Sequence, residues 1–288
     1  MKNIIIIFLT VAISSLHISA QEFSHEFSVY GGAGLSTINY KLSSGDRSGG
    51  FGGDLGLGYT FFIKNVRVVE TGILSHNQLG LHTGIGLGFY NATAYVNGKT
   101  FETPGFDNDT HLEEKYRKFV LHTTLSDYKE KQTMTLLNIP IMALFTVDRY
   151  YAMGGFKFGI PLGGKFQAKG ATLTNAAHYT EIDNWAKEQS LSGYGAFNRD
   201  ANGTMKFGVS TMLSLEGGMK FRLSNGLLLY AGAYFDIGLN NVTPSNDYLI
   251  NYVTNAPADF STNSVLSVDA SKVKPMATGV KLRLTLGK

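Results

Sequence analysis

The sequence predicts an all-β fold, an eight-stranded antiparallel up-and-down transmembrane β-barrel with long external loops. Three observations predict it. Apolar and polar residues alternate with a period of two over long segments, which sorts side chains onto opposite faces of a strand. The connections between these segments alternate between short and long. The chain also opens with a secretory-type leader, MKNIIIIFLTVAISSLHISA. It has Lys2, an apolar run over 4–16, and Ser19-Ala20 before an expected cut at Ala20/Gln21. The expected organisation is a signal peptide over 1–20 and an outer-membrane barrel over 21–288.

The first expected strand, about 26–38, carries Phe27, Val29, Ala33 and Leu35 on one parity. The second, 51–62, sets Phe51, Leu55, Leu57, Tyr59 and Phe61 against Asp54 and Thr60. The third, 79–96, sets Leu79, Leu81, Ile85, Leu87 and Phe89 against His82 and a series of glycines. The fourth, 133–146, shows Leu137, Ile139, Ile141, Ala143 and Phe145, and the fifth, 151–167, opposes Phe156, Phe158, Ile160 and Leu162 to Lys157. The sixth, 205–222, contains KFGVSTMLSLEGGMKFRL, with Lys206, Glu216, Lys220 and Arg222 all at even positions and apolar residues at odd ones. The seventh, 227–240, opposes Leu229, Ala231, Ala233, Phe235 and Ile237 to Tyr230, Tyr234 and Asp236. The eighth, 275–286, opposes Met276, Val280, Leu282, Leu284 and Leu286 to Lys281, Arg283 and Thr285.

Short connections follow strands four (VDRY) and six (LSNG), and long polar ones span 97–132, 168–204 and 241–274. Outer-membrane barrels have an even strand count, short periplasmic turns and longer external loops, which is this pattern. Segment 63–78 is longer than such a turn and is read as an enlarged one. Outward aromatics gather near strand ends, with Phe61, Phe145, Tyr151 and Phe221 on the periplasmic side and Phe51, Phe89 and Phe207 on the external side. A secreted β-sandwich would also alternate, but soluble strands average about 5–6 residues, whereas spanning strands need about 9–11.

The 288 residues include no cysteine, so disulfides, thiolate metal sites and a lipidated N-terminal cysteine are excluded. A net charge of +3 points to no nucleic-acid partner. The expected lumen charge network is Asp54, Glu216 and Asp236 against Lys157, Lys206, Lys220, Arg222, Lys281 and Arg283, with His82 beside it. An eight-stranded bore is filled by side chains, so these charges are expected to pair as a plug. The excess of bases keeps a narrow, anion-leaning channel as the alternative.

Other motifs dissolve on inspection. GIGLGF and GGAGLS lack the strand–helix context of a dinucleotide fingerprint, and their glycines make room for bulky inward neighbours. DNDTHLEE offers oxygen donors at 107–114 without the turn glycine of a calcium loop. A barrel hydrolase would need a nucleophile beside His111, His122 or His178, yet no G-x-S-x-G or H-E-x-x-H occurs. No catalytic residue, cofactor or metal is expected. TEIDNWAKEQS is expected to form a short helix around Trp185.

Four segments carry a resemblance: NIPIMALF, MGGFKFGIPL, SLEGGMKFRLSNGLLLYAGAYFDIGLNN and VKPMATGVKLRL. They resemble the small outer-membrane β-barrels of Bacteroidota, broadly similar to the OmpA/OmpX type. The resemblance covers most of the mature chain and is strongest from 132 onward. It implies outer-membrane lipid as surroundings and the barrel-assembly machinery as a partner during insertion. It carries over no catalytic residues. The chain departs from the pattern in ending LTLGK rather than on an aromatic, and no peptidoglycan-binding domain is expected after the eighth strand. The functional expectation is a non-enzymatic envelope protein of the porin-family type, structural or binding an external ligand through loops 97–132 and 168–204.

Overall fold

A computed structural model describes residues 24–63, 77–111, 113–188, 192–223, 227–244, 246, 248–253 and 257–285. The expected leader, residues 64–76 of segment 63–78 and residue 286 of the expected eighth strand lie outside the described residues.

The chain is all-β. The strands are β1 (Ser24–Lys41), β2 (Asp46–Gly49), β3 (Phe51–Ile63), β4 (Asn77–Val96), β5 (Lys99–Phe106), β6 (Lys118–Ser126), β7 (Tyr128–Val147) and β8 (Tyr150–Tyr179). They continue with β9 (Asn184–Ala186), β10 (Gly195–Thr204), β11 (Ser210–Arg222), β12 (Leu228–Gly238), β13 (Ile250–Asn251), β14 (Ser261–Thr262) and β15 (Ser271–Thr285). All but β13 and β14 belong to one large sheet.

Eight of these strands correspond to the eight expected from alternation. Antiparallel pairing runs from β1 to β3, β4, β7, β8, β11, β12 and β15, and β15 pairs back onto β1. The large antiparallel sheet is thus ringed along these eight, with the remaining strands attached to it. Register preserves parity around the ring, as in Val29 opposite Leu57 and Leu284, with Tyr30 opposite Gly56 and Arg283. Alternate residues therefore face in or out along each strand, the sense reversing on β8 at the bulge opposite Thr135 and Leu136, past which Phe166 is buried and Lys165 exposed. The outward set is apolar and open, with Phe51 72% exposed and Leu35 and Val280 each 66%. The inward set is buried.

Glycines make the tight interior possible. A Cβ at Gly32 would fall 2.4 Å from Asp54 Oδ1 and 3.1 Å from Lys281 Cε, and one at Gly86 would meet the Tyr30 hydroxyl at 2.3 Å. Two outward assignments from the sequence are corrected. Tyr151 points inward, because β8 begins at Tyr150 and places odd-numbered Tyr151 and Met153 on the buried face while Tyr150 is exposed. Phe207 is buried, because 205–209 leaves the strand and packs into the external core.

Two of the three long connections, 97–132 and 168–204, are built largely of strands, whereas among the described residues 241–274 carries only β13, β14, short helical turns and the start of β15. Beyond the turn at Gly98 (φ 72) β4 rises into β5, and β6 descends into β7 past Asp127 (φ 49). The two breaks are tied together, since Asp127 N–H donates to Asn97 Oδ1 at 3.1 Å and Gly98 N–H donates to the Leu125 carbonyl. β8 runs on to a length of 30 residues, pairing with β6 on one side and β10 on the other. The result is a four-stranded external sheet, β5–β6–β8–β10, continuous with the ring wall. Trp185 lies on β9, paired with β8, and not on the expected helix.

One face of the external sheet buries Phe101, Phe119, Leu121, Leu125 and Leu173 against Leu249, Ile250, Phe260, Val265 and Leu266 of segment 241–274. The same apolar cluster includes Tyr90, Met212 and Tyr234 inside the ring. The core therefore runs unbroken from the external sheet into that end of the ring.

Candidate functional site

The interior of the ring holds a chain of ion pairs. Arg283 Nη2 donates to Glu216 Oε1 and Oε2, each at 2.9 Å. Lys281 Nζ lies 3.8 Å from Glu216 Oε2 and 2.7 Å from Asp54 Oδ2. Lys157 Nζ lies 3.7 Å from the same Asp54 oxygen and 2.6 Å from Asp236 Oδ2. All six side chains are buried. The six residues come from β3, β8, β11, β12 and β15, so the network exists only when the ring is closed.

Hydroxyls add further hydrogen bonds to two of the acids. Tyr151 O–H donates to Glu216 at 3.0 Å and Ser214 O–H to Asp236 at 2.5 Å. Lys281 lies over the Tyr234 ring at 4.5 Å and the Tyr30 ring at 5.2 Å. His82 sits among them, its Nδ1 2.9 Å from Thr60 Oγ1.

Of the nine residues expected in the network, these six come together. Lys206 and Arg222 lie outside it. Lys206 is exposed and outside any strand, because regular pairing of β11 begins only at Ser210. Arg222 is exposed at the end of β11. Lys220 is half-buried near that end, its Nζ 6.0 Å from the Tyr230 ring centre. The excess of bases that suggested an anion-leaning bore is not found in the linked ion pairs. The linked core holds three acids and three bases, and it is neutral. Sequence reading also missed Glu26, which is buried and accepts a hydrogen bond from Tyr230 O–H at 2.9 Å. Its even numbering in β1 was the available signal.

Burying six charges is tolerable here because each has an opposite charge within 4 Å. Removing one partner of such a pair leaves an uncompensated buried charge, at a cost of about 3–5 kcal/mol.

The external sheet carries a second set of polar groups. Glu130 is fully buried and accepts from Tyr128 O–H (2.9 Å), Gln132 Nε2 (2.7 Å), Ser264 O–H and Val265 N–H (3.2 Å). Tyr40 O–H in turn donates to Gln132 Oε1 at 2.6 Å. Burial raises the Glu130 carboxyl above the ordinary carboxylate range, against the pull of those four donors. At the other end of the short helix Val265–Asp269, Asp269 accepts from Lys99 Nζ at 2.8 Å and from Ser43 N–H at 3.0 Å. Burial pushes the Asp269 carboxyl up, but Lys99 and Ser43 outweigh it and hold it below its ordinary value.

On the open face, His178 stacks on Trp185 with ring centres 4.3 Å apart and reaches Asp183 at 2.9 Å, and His122 lies 3.8 Å from Glu102. These histidines meet carboxylates and an indole. In 107–114, Asp107 accepts from Tyr179 O–H and from Asp109 N–H, and Asp109 accepts from His111 N–H, so these oxygens serve a distant hydroxyl and two local backbone amides. Among the described residues no group of three or more His, Cys, Asp or Glu is placed to hold a metal. A groove of about 530 Å³ beside Phe106, Phe119 and Tyr252 opens at the far end of the external sheet.

No protein-family model matches this chain, and no curated protein matches it at a significant level.

Proposed function

We propose that the protein is an eight-stranded transmembrane β-barrel of the outer membrane, non-enzymatic and closed to ions, which serves the envelope structurally or by binding through its external sheet. Two features support the membrane reading. The outward face presents apolar residues on all eight ringed strands, and ringed strands of 11 to 30 residues meet or exceed the span a tilted strand needs. In water such a face would demand a cover, since contiguous exposed apolar surface of this extent marks a membrane or partner contact. The secretory leader read from the sequence and the resemblance to OmpA/OmpX-type barrels agree with that placement.

The observation that carries the closed reading is the neutral ion chain from Arg283 to Asp236, capped at one end by the apolar core around Met212 and Tyr234. A conducting bore would need a wetted path through it. The test is planar-bilayer conductance of the refolded full chain, with unboiled against boiled gel mobility to confirm folding. The expected result is a folded barrel and a silent bilayer. Steady protein-dependent openings that change on Lys281→Gln would overturn the closed reading and favour the channel.

A further inference from the structure

The outward face of β7 and β8 changes character just beyond the apolar band. Leu137 and Leu162 are the last large apolar residues facing out. Past them stand Lys131 and Lys129 on β7, and Lys165 and Lys169 on β8, all exposed. Register pairs Thr133 with Lys165 and Lys131 with Gln167, so Lys131 lies diagonally between Lys165 and Lys169. Diagonal neighbours on a sheet face are about 7–8 Å apart, and like charges so placed repel. None of the four has an ion-pair partner among the described residues. Lys129 lies over the Tyr95 ring at 5.4 Å. The acids nearest in sequence register are Asp46, Asp127 and Asp200, and Asp200 is engaged by Gly170 N–H at 2.9 Å. Across the ring, Lys274 opposite Asn39 continues the same basic border.

Height decides the kind of anion. A strand rises about 3.3 Å per residue and tilts by about 40°. Leu162 is the extra residue of a bulge opposite Thr135 and Leu136, so Lys165 stands about 5–6 Å beyond it, while Lys131 stands about 15 Å beyond Leu137. The polar zone of a simple phospholipid leaflet reaches only about 5–7 Å beyond the hydrocarbon. Lysines can reach down toward it, but four at graded heights fit an anion that extends outward.

We propose that this lysine patch binds the phosphate groups of a phosphorylated glycolipid headgroup in the outer leaflet, an inference that rests on the membrane-barrel reading above. The full-length protein would be inserted into phosphatidylcholine vesicles that contain a minor fraction of spin-labelled, bisphosphorylated glucosamine-disaccharide lipid. The relative association of that lipid with the protein would be compared with its dephosphorylated form and with phosphatidic acid. A lysine near an anionic surface is worth about fivefold, so the phosphorylated glycolipid is expected to be favoured by about tenfold or more. The Lys129→Gln, Lys131→Gln, Lys165→Gln, Lys169→Gln variant should bring this close to unity, while Arg149→Gln with Arg222→Gln at the opposite rim should leave it. No preference in wild type, or a preference surviving the lysine variant, overturns the patch. Equal preference for phosphatidic acid overturns the glycolipid assignment. Insertion into pure phosphatidylcholine, judged by heat-modified mobility and protease protection, separately tests the barrel, and failure there overturns both readings.

Discussion

Glu130→Ala removes a carboxylate held by four neutral donors in the external core. Tyr128 and Ser264 can turn their hydroxyls elsewhere, but Gln132 Nε2 and Val265 N–H cannot. Two buried N–H groups without acceptors cost about 1–3 kcal/mol each. The loss should raise opening of segment 261–270 by about 30-fold or more. Hydrogen–deuterium exchange reads this directly, with ring strand β4 as the internal reference. Unchanged protection over 261–270, or equal loss in β4, would refute the assignment of Glu130 as the anchor of this segment.

The same segment should show two opposed pH dependences. The raised Glu130 carboxyl means that the closed segment holds its proton more tightly than the open one. Its contribution is full below the ordinary carboxylate pKa and is lost as pH rises through the raised value. Asp269 is held low, so its contribution is present above the ordinary carboxylate pKa and is lost as pH falls through the lowered value. Exchange protection, corrected for intrinsic rates, is expected to peak between the two. Glu130→Gln should flatten the alkaline side and Asp269→Asn the acid side. A wild-type profile with neither slope counts against both roles.

The ring interior yields further tests. Glu216→Ala strands Arg283 and weakens the hold on Lys281, and should lower unfolding free energy by about 3–5 kcal/mol in a urea titration in detergent. A loss below about 1 kcal/mol would mean that water already solvates these charges, since truncation of a solvated pair costs little. Gly32→Val drives a side chain into the Asp54–Lys281 pair and should cost about 1–3 kcal/mol by overpacking, whereas Ala33→Val on the outward face should be nearly neutral by the same titration. His178→Ala removes the ring stacked on the single tryptophan and should change Trp185 emission without altering heat-modified mobility.

Alternation made the ringed strands legible because each has one apolar face over the stretch that forms the ring. It failed where both faces are polar. In YKEKQ, Tyr128, Glu130 and Gln132 turn inward and Lys129 and Lys131 outward. Nothing in that run signals burial, which comes from Tyr40 and Ser264, each about 90 or more residues away. Strand β6 did alternate, with Phe119, Leu121 and Leu125 against His122 and Thr124, but β10, GAFNRDANGT, carries no such pattern and is a strand because β8 is there to pair with it. The interior charges were legible as a set by parity alone. Which of them pair was not, since parity ran on through Gly208 to Lys206, past the point where pairing ends. The neutrality of the linked core followed only from knowing where β11 begins and which of its charges reach the chain of ion pairs.

The external core draws on β5, β6, β8 and segment 241–274, pieces far apart along the chain that meet only beyond the ring. If the barrel spans the outer membrane as proposed, these pieces cross it before they can find one another. Their apolar faces and the buried Glu130 cluster then assemble only on the far side. Folding there works as a ratchet. Once Leu121, Leu173 and Leu266 are packed together, pulling any one hairpin back through the bilayer means dismantling the whole cap. Direction of insertion is thereby locked by structure formed after transit.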